Sequence, residues 1–337
     1  MATLAGRNAT LLDVAKRMDP DGRISAIAEL LSQENEILMD MPWLEGNLPT
    51  GHLTTVRTGL PEVAWRKLNQ GVPASKSTTA QITEACGMLE AFGEVDKDLA
   101  DLNGNTAAFR LSENMAFMES LNQTMAQTLF YGDTAVNPER FLGLAPRFST
   151  GVQATAPNGQ NIISAGGSSN LTSIWLVGWG ANSVHGIYPK GSVAGLQHED
   201  LGLDTVADSG GNKYRAYQDR YQWKCGMAMR DWRYVVRIAN IDVTALEAGT
   251  TASPADPDLL MLMVRALERI QSLTGVTPVF YANRTIRSFL RQQAIRGVQN
   301  STLTYDELGG RPVVSFSGVP VRRVDSILST ETAVPMA

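Results

Sequence analysis

The stretch SENMAFMESLNQTMAQTLFYGDTAVNPERFLGLAPRF, residues 112–148, begins with the strongest helical pattern of the chain. Apolar side chains recur there every three or four residues, as on one face of a helix. They are Leu111, Met115, Met118, Leu121 or Asn122, Met125 and Leu129. Ser112 favours a helix start, there or one turn earlier, and Gly132 favours a stop. We therefore predict a helix near residues 107–131, roughly 30 Å long, with its methionine stripe in the core.

The region before this helix is expected to have little core of its own. Residues 25–40 show a short helical pattern, which Pro42 and Gly46 end. We therefore predict that residues 1–50 form an extended arm.

A long polar hairpin is predicted over residues 51–81. Residues 54–58 and 62–68 alternate loosely on either side of Gly59, Leu60 and Pro61, which favour a turn. Few of these side chains could be buried against a neighbouring core, so the hairpin is expected to project from the body. One strand is expected over residues 82–95.

The sequence pattern after the long helix is typical of an α+β protein. The glycine-rich residues 149–169 indicate a loop, residues 173–179 (SIWLVGW) a buried strand, and residues 214–241 two or three strands. The last third alternates helices and strands. Its predicted elements are a helix capped by Asp256 and Pro257 and ended by Gly275, a strand over 276–281, a helix capped by Asn283 and ended by Gly297, and a hairpin of 312–316 and 319–324 that turns at Ser317 and Gly318.

Composition restricts the class of protein. The chain has 337 residues, a net charge of −5 and a pI of about 5.4, so it lacks the basic surplus of a phosphate-gripping protein. Cys86 and Cys225 are far apart and outside any CxxC pattern, which argues against a disulfide scaffold or a zinc ribbon. Neither a signal peptide nor an apolar run of membrane-spanning length is present. The sequence predicts a soluble protein made in the cytosol.

Motifs for catalysis or cofactor binding are weak. GWGANS, residues 178–183, lacks the third glycine of a dinucleotide loop, and no GxSxG or phosphate-binding loop occurs. His198, Glu199, Asp200 and Asp204 could hold Ca²⁺ or Mg²⁺, although a solvated acidic loop is the favoured interpretation. We predict no enzymatic activity, no cofactor and no bound metal.

An arginine series marks the second helix of the last third. Arg284, Arg287, Arg291 and Arg296 are spaced by three, four and five residues. A basic stripe could contact phosphates, but we favour pairing with acidic residues of a neighbouring subunit.

Several ordered segments resemble the major capsid proteins of tailed phages with the Hong Kong 97-type fold, and among these the capsid proteins of short-tailed phages. RTGLPEVAWRKLNQGV (57–72) is similar to their extended loop, and SENMAFMESLNQTMAQTLFYGD (112–133) resembles their spine helix. YGDTAVNPERFLGLAPRF (131–148) looks like the passage that follows that helix. DWRYVVRIANID (231–242), GVTPVFYANRTIRSFLRQQ (275–293) and FSGVPVRRVDSILSTE (316–331) resemble later capsid segments.

The resemblance implies four regions: an N-terminal arm (1–50), an extended loop (51–81), a peripheral domain with the spine helix (82–250) and an axial domain (251–337). It also implies a virion shell of hexamers and pentamers around double-stranded DNA, assembled in the host cytoplasm. A separate scaffolding protein, a portal and a decoration or cement protein are the implied partners. No membrane is involved. Although Lys67 and Lys76 lie in the loop, we do not extend the resemblance to covalent cross-linking between subunits.

Contacts between subunits are expected in the arm and the hairpin, because neither has enough core alone. The candidate apolar anchors are Trp43, Leu44, Leu60, Val63, Trp65 and Leu68. The candidate rim contacts are Arg57, Glu62, Arg66 and Lys67.

Two other functions compete with the phage shell. An encapsulin-type nanocompartment shell shares the same fold, and portal and terminase genes nearby would argue against it. A hydrolase with an α/β lobe is the second alternative, and it would need a nucleophile and a base within reach of each other.

Overall fold

The computed structural model describes residues 33–104, 106–208, 210–248, 258–296, 303–308 and 311–336. The helices are α1 (Ile37–Asp40), α2 (Lys97–Ala100), α3 (Thr106–Tyr131), α4 (Leu144–Arg147), α5 (Val243–Ala248), α6 (Leu259–Arg269) and α7 (Arg284–Arg296). The strands are β1 (Trp43–Glu45), β2 (Gly51–Gly59), β3 (Thr78–Ala85), β4 (Gly87–Asp96), β5 (Ile162–Ser164), β6 (Leu171–Trp179), β7 (Val184–Tyr188), β8 (Leu196–Ala207), β9 (Lys213–Met229), β10 (Val235–Asp242), β11 (Thr277–Ala282), β12 (Leu303–Leu308), β13 (Arg311–Phe316) and β14 (Val319–Arg323). This confirms the predicted α+β class.

Strand β6 lies at the centre of the main sheet. It pairs antiparallel with β10 and β11 and parallel with β7, and all nine of its residues are buried. Alternate side chains of a strand point to opposite faces, so β6 contributes to two cores. Trp175 and Val177 pack in the core that contains α3, whereas Ile174 and Leu176 pack in the core that contains α6 and α7.

Strand β9 joins this sheet to a second region. Its last residues pair with β7, and its earlier residues pair with β4 on one side and β8 on the other. Helix α3 contacts this region, where Phe117 stacks on Tyr221 with ring centroids 5.9 Å apart.

Helix α3 has 26 residues and ends before Gly132, as predicted. A Cβ at Gly132 would lie 2.4 Å from the Phe141 carbonyl oxygen, so no larger residue fits there. The predicted core stripe is only half correct. Leu121, Met125 and Leu129 are buried, but Leu111, Met115 and Met118 are exposed, because the first turns of α3 bury Phe109 instead.

The base of the arm belongs to the body of the subunit. Residues 25–32 of the predicted helix lie outside the described residues; within residues 33–40 the helix comprises Ile37–Asp40. Asn35 forms an antiparallel bridge with Val324, and Ile37 and Met41 are buried in the core beside α3. These two apolar residues are therefore buried in their own subunit, whereas the arm was expected to bury such residues on neighbouring subunits.

The hairpin has a different register from the predicted one. Strand β2 pairs with β3, from Gly51 opposite Ala85 to Gly59 opposite Thr78. Residues 60–77 form neither helix nor strand, so the predicted turn at 59–61 and strand at 62–68 are wrong. The loose alternation of 62–68 was misleading because β3 lies further along the chain. The strand predicted over 82–95 is interrupted at Cys86, which separates β3 from β4.

The last third follows its predicted order with shifted ends. Asp258 caps α6 by accepting a hydrogen bond from the Met261 amide at 3.1 Å, whereas the predicted caps at 256 and 257 lie outside the described residues. The helix ends at Arg269 rather than at residue 275. Asn283 Oδ1 caps α7 by accepting from the Ile286 amide at 2.9 Å, as predicted.

The turn between β13 and β14 is the predicted one. Ser317 and Gly318 have φ angles of 50° and 80°, the left-handed pair that a two-residue hairpin turn requires. In the part of the chain that the structure describes, no helix is both long and apolar enough to cross a membrane.

Candidate assembly surfaces

Residues 60–77, here called the loop tip, join β2 to β3 and carry large apolar side chains into solvent. Leu60, Val63, Trp65 and Leu68 are 79% to 104% exposed. The hydrogen bonds found there are local, such as Ser75 Oγ to the Glu62 carbonyl at 2.7 Å. Exposed apolar groups concentrated on one projecting segment are typical of a surface that binds another protein.

The base of the hairpin is fixed to the body by an ion pair. Arg147 Nη1 and Nη2 donate to Glu84 Oε1 and Oε2, both at 2.6 Å, and both side chains are largely buried. A two-point guanidinium–carboxylate pair restrains orientation as well as distance. Arg147 comes from α4 and Glu84 from β3, so the hairpin leaves the body in a defined direction.

Two histidine rings are in contact at the base of the hairpin. The ring centroids of His52 in β2 and His185 in β7 are 5.9 Å apart, with the rings nearly perpendicular. His185 is buried. Burial, together with His52 and Arg230, lowers the pKa of His185 to about 4. Burial and Arg230 also lower the pKa of His52, although Glu84 acts in the opposite direction.

The pH dependence of stability should reflect His185. An unfolded histidine titrates near 6.5, so between pH 6.5 and 4 the unfolded chain binds a proton that folded His185 does not. The contribution of His185 to the free energy of unfolding is fully present above pH 6.5. It falls by roughly 3 kcal/mol as the pH decreases to 4. His185→Gln should remove this part of the pH dependence of the unfolding free energy, measured by chemical denaturation.

His198→Gln is the matched control, because the His198 ring is half exposed and lies beside Asp219 with Nε2 2.8 Å from Oδ1. Equal pH profiles for the two variants would contradict the assignment to His185.

The predicted intersubunit residues are not all in one place. Eight lie on the exposed hairpin: Arg57, Leu60, Glu62, Val63, Trp65, Arg66, Lys67 and Leu68. Trp43 packs on Trp223 of its own chain, with centroids 6.1 Å apart, and a Cβ at Gly186 would lie 2.7 Å from the Trp43 ring. Trp43 therefore has an intrachain role, contrary to the argument that it lacks a core. Leu44 is its partly exposed neighbour.

Two exposed apolar surfaces were not predicted. One is the helix stripe, defined as Leu111, Met115 and Met118 of α3. The other comprises Met88 and Phe92, which lie on the face of β4 away from α3. The spacing of Met88, Glu90 and Phe92 at every second residue places them on one face of β4, and this was the available signal for the second surface. A half-buried strand shows the same spacing, so the signal does not predict exposure.

The acidic cluster is divided by the alternation of strand β8. His198 and Asp200 point toward α3, where Asp219 and Asp200 both accept hydrogen bonds from Arg110 at 3.1 and 2.7 Å. Glu199 points the other way, toward Arg220. Within the described ranges no three histidine, cysteine or acidic side chains are placed to hold a metal ion.

One arginine of the series, Arg287, has an acidic partner in its own chain. Arg287 approaches Glu36 at 3.9 Å, and Arg322 of β14 lies 3.2 Å from the same carboxylate. Arg323 reaches Glu34 at 3.1 Å. The favoured pairing with a neighbouring subunit is therefore wrong for Arg287, whose acidic partner is the base of the arm.

Comparisons with known proteins agree with this architecture. The model of the family described as major capsid protein GP7 matches residues 19–335. A chain in the solved structure of bacteriophage Epsilon15 is 39% identical, with 100% of both chains covered and a TM-score of 0.75. A comparison with curated protein sequences finds no significant match.

More distant structures give lower scores. The capsid of bacteriophage JBD30 is 10% identical, covers 90% of this chain and 95% of its own, and has a TM-score of 0.47. The SrpI encapsulin of Synechococcus elongatus is 12% identical, covers 70% and 98%, and has a TM-score of 0.41. Neither of these two bears on function. The GP7 model and the full-length likeness to the Epsilon15 chain decide the matter: this chain belongs to the GP7 family of tailed-phage major capsid proteins and has the Hong Kong 97-type capsid fold.

Proposed function

We propose that copies of this protein assemble into the hexamers and pentamers of an icosahedral head that encloses double-stranded DNA. The observation that carries this proposal is the loop tip, whose large apolar side chains are not buried by any of the described residues. Burial of such groups on neighbours supplies the driving force for association. The Glu84–Arg147 ion pair anchors the base of the hairpin that carries the loop tip.

The division into regions is part of the proposal. The arm comprises residues 1–50, and the extended loop comprises β2, β3 and the loop tip. We place β4, α3, β8 and most of β9 in the peripheral domain. The axial domain includes β6 and β10 as well as residues 251–337, because β6 and β10 share one sheet and one core with β11, α6 and α7. The boundary expected at residue 250 is changed accordingly.

The protein acts in this scheme as a structural component without enzymatic activity. The acidic side chains of β8 and β9 support this, since Asp200 and Asp219 are engaged by Arg110 and Glu199 by Arg220. Carboxylates held by guanidinium groups are poorly suited to act as general acids or bases at neutral pH. A separate scaffolding protein, a portal and a decoration protein are the proposed partners, and the host cytoplasm is the proposed site of assembly.

Purified protein should form closed shells, or free pentamers and hexamers, alone or with its scaffolding protein. Negative-stain electron microscopy and sucrose-gradient sedimentation measure this directly. A sharp monomer peak at high protein concentration, in several buffers and with the scaffolding protein present, would overturn the proposal.

A further inference from the structure

The helix stripe lies on the long helix α3, and none of the described residues buries it. Leu111, Met115 and Met118 are separated by four and three residues, so they share one face, and they are 59%, 48% and 42% exposed. The C-terminal half of the same helix buries Met125 and Leu129 completely. Three large apolar side chains in a row on a half-buried helix indicate a surface that another segment covers.

The described chain begins beside this stripe. The Gln33 amide donates to Glu119 Oε1 at 2.8 Å, and Asn122 Nδ2 donates to the Gln33 carbonyl at 3.5 Å. Asn122 lies four residues after Met118 and therefore continues the same face. The N-terminal segment thus joins the described structure at one end of the helix stripe.

The residues just before Gln33 match the stripe in pattern and length. Ile24, Ile27 and Leu30 with Leu31 recur at intervals of three and four, which predicts a helical apolar face. From Met118 to Leu111 the helix stripe runs about 10 Å, and eight residues in helical conformation span about 12 Å. The segment is long enough to cover the stripe without any stretch of linker.

We propose that residues 24–31 of this same chain cover the helix stripe. The junction at Gln33 holds the segment at a millimolar effective concentration, which favours the intrachain contact over a contact with another copy. The proposal concerns the single subunit and does not depend on the mode of shell assembly.

Disulfide formation between introduced cysteines tests the contact in the full-length chain. Met115→Cys or Met118→Cys is combined with Ile27→Cys or Leu30→Cys, and the four double variants are oxidised by air with copper phenanthroline. Burial raises the pKa of the native Cys86 thiol to about 11 and raises that of Cys225, which disfavours both as competing thiolates. Non-reducing electrophoresis and intact mass identify the linkage, and circular dichroism before oxidation identifies the folded variants.

We expect at least one folded pair to give a fast-migrating monomer in most chains. Met261→Cys, at an exposed methionine on α6, is the matched control and should give no such band with either partner. Covalent dimers would show that a second copy covers the stripe, which overturns the proposal. Equal linkage to Met261→Cys, or no linkage in any folded pair, would also overturn it.

Discussion

Removal of the loop tip is expected to abolish shell assembly while leaving the subunit folded. The change replaces residues 60–77 by an Asn-Gly turn. Gly59 and Thr78 are directly opposite each other at the end of the hairpin, so a two-residue turn can close it. Because the hydrogen bonds of the loop tip with other described residues are local, its loss should lower the melting temperature by no more than a few degrees.

The cost to assembly should be much larger than the cost to folding. At about 25 cal/mol per Å² of apolar surface, one tryptophan and one leucine buried on a neighbour contribute several kcal/mol per subunit. The loss recurs at every interface of the shell. Thermal melting followed by circular dichroism measures folding, and sedimentation through a sucrose gradient measures assembly.

Single substitutions refine this test. Trp65→Ala should weaken assembly less than the deletion does. Val63→Ser should reduce shell yield, whereas Val136→Ser, at an exposed valine outside the hairpin, should not. An unfolded deletion variant would mean that the loop tip belongs to the body. Normal shells from the deletion variant would mean that it is not an assembly element.

Arg237→Ala is expected to destabilise the subunit by about 3–5 kcal/mol, as for other buried pairs that lose one partner. Arg237 and Glu331 are 5% and 4% exposed, and Arg237 Nη2 lies 2.9 Å from Glu331 Oε2. The guanidinium also donates to Ser173 Oγ at 3.0 Å and to the Phe148 carbonyl at 2.8 Å. The substitution leaves a buried carboxylate without its counter-ion.

The ring of Trp175 adds to the effect, because the Arg237 guanidinium carbon lies 5.0 Å from its centroid. Arg233→Ala is the matched control: Arg233 pairs with Asp231 at 2.6 Å on the surface, and its loss should cost less than about 1 kcal/mol. Urea-induced unfolding measures both variants. Similar costs for the two would show that the Arg237 network contributes little to stability.

Local patterns in the sequence predicted the elements whose causes are local. Gly132 directly follows helix α3 at a position with no room for a side chain, and α7 begins after Asn283, whose side chain accepts an amide of the first turn. The turn at Ser317 and Gly318 likewise follows from backbone preference. The ordered segments also sufficed for the family, which the match to the GP7 model confirms.

Only the tertiary structure decided which faces and strands meet. The spacing of apolar residues predicts one face of a helix but not how far the sheet that covers this face extends. The exposure of Met115 and Met118 could therefore not be predicted from the sequence. The partner of β2 lies across the loop tip, beyond any local signal, which is why the hairpin was assigned the wrong turn. The intrachain packing of Trp43 had no local signal, because the strand that β1 pairs with is about 140 residues away in the sequence. Long-range pairing of this kind depends on the whole chain, whereas caps, turns and stops depend on a few neighbouring residues.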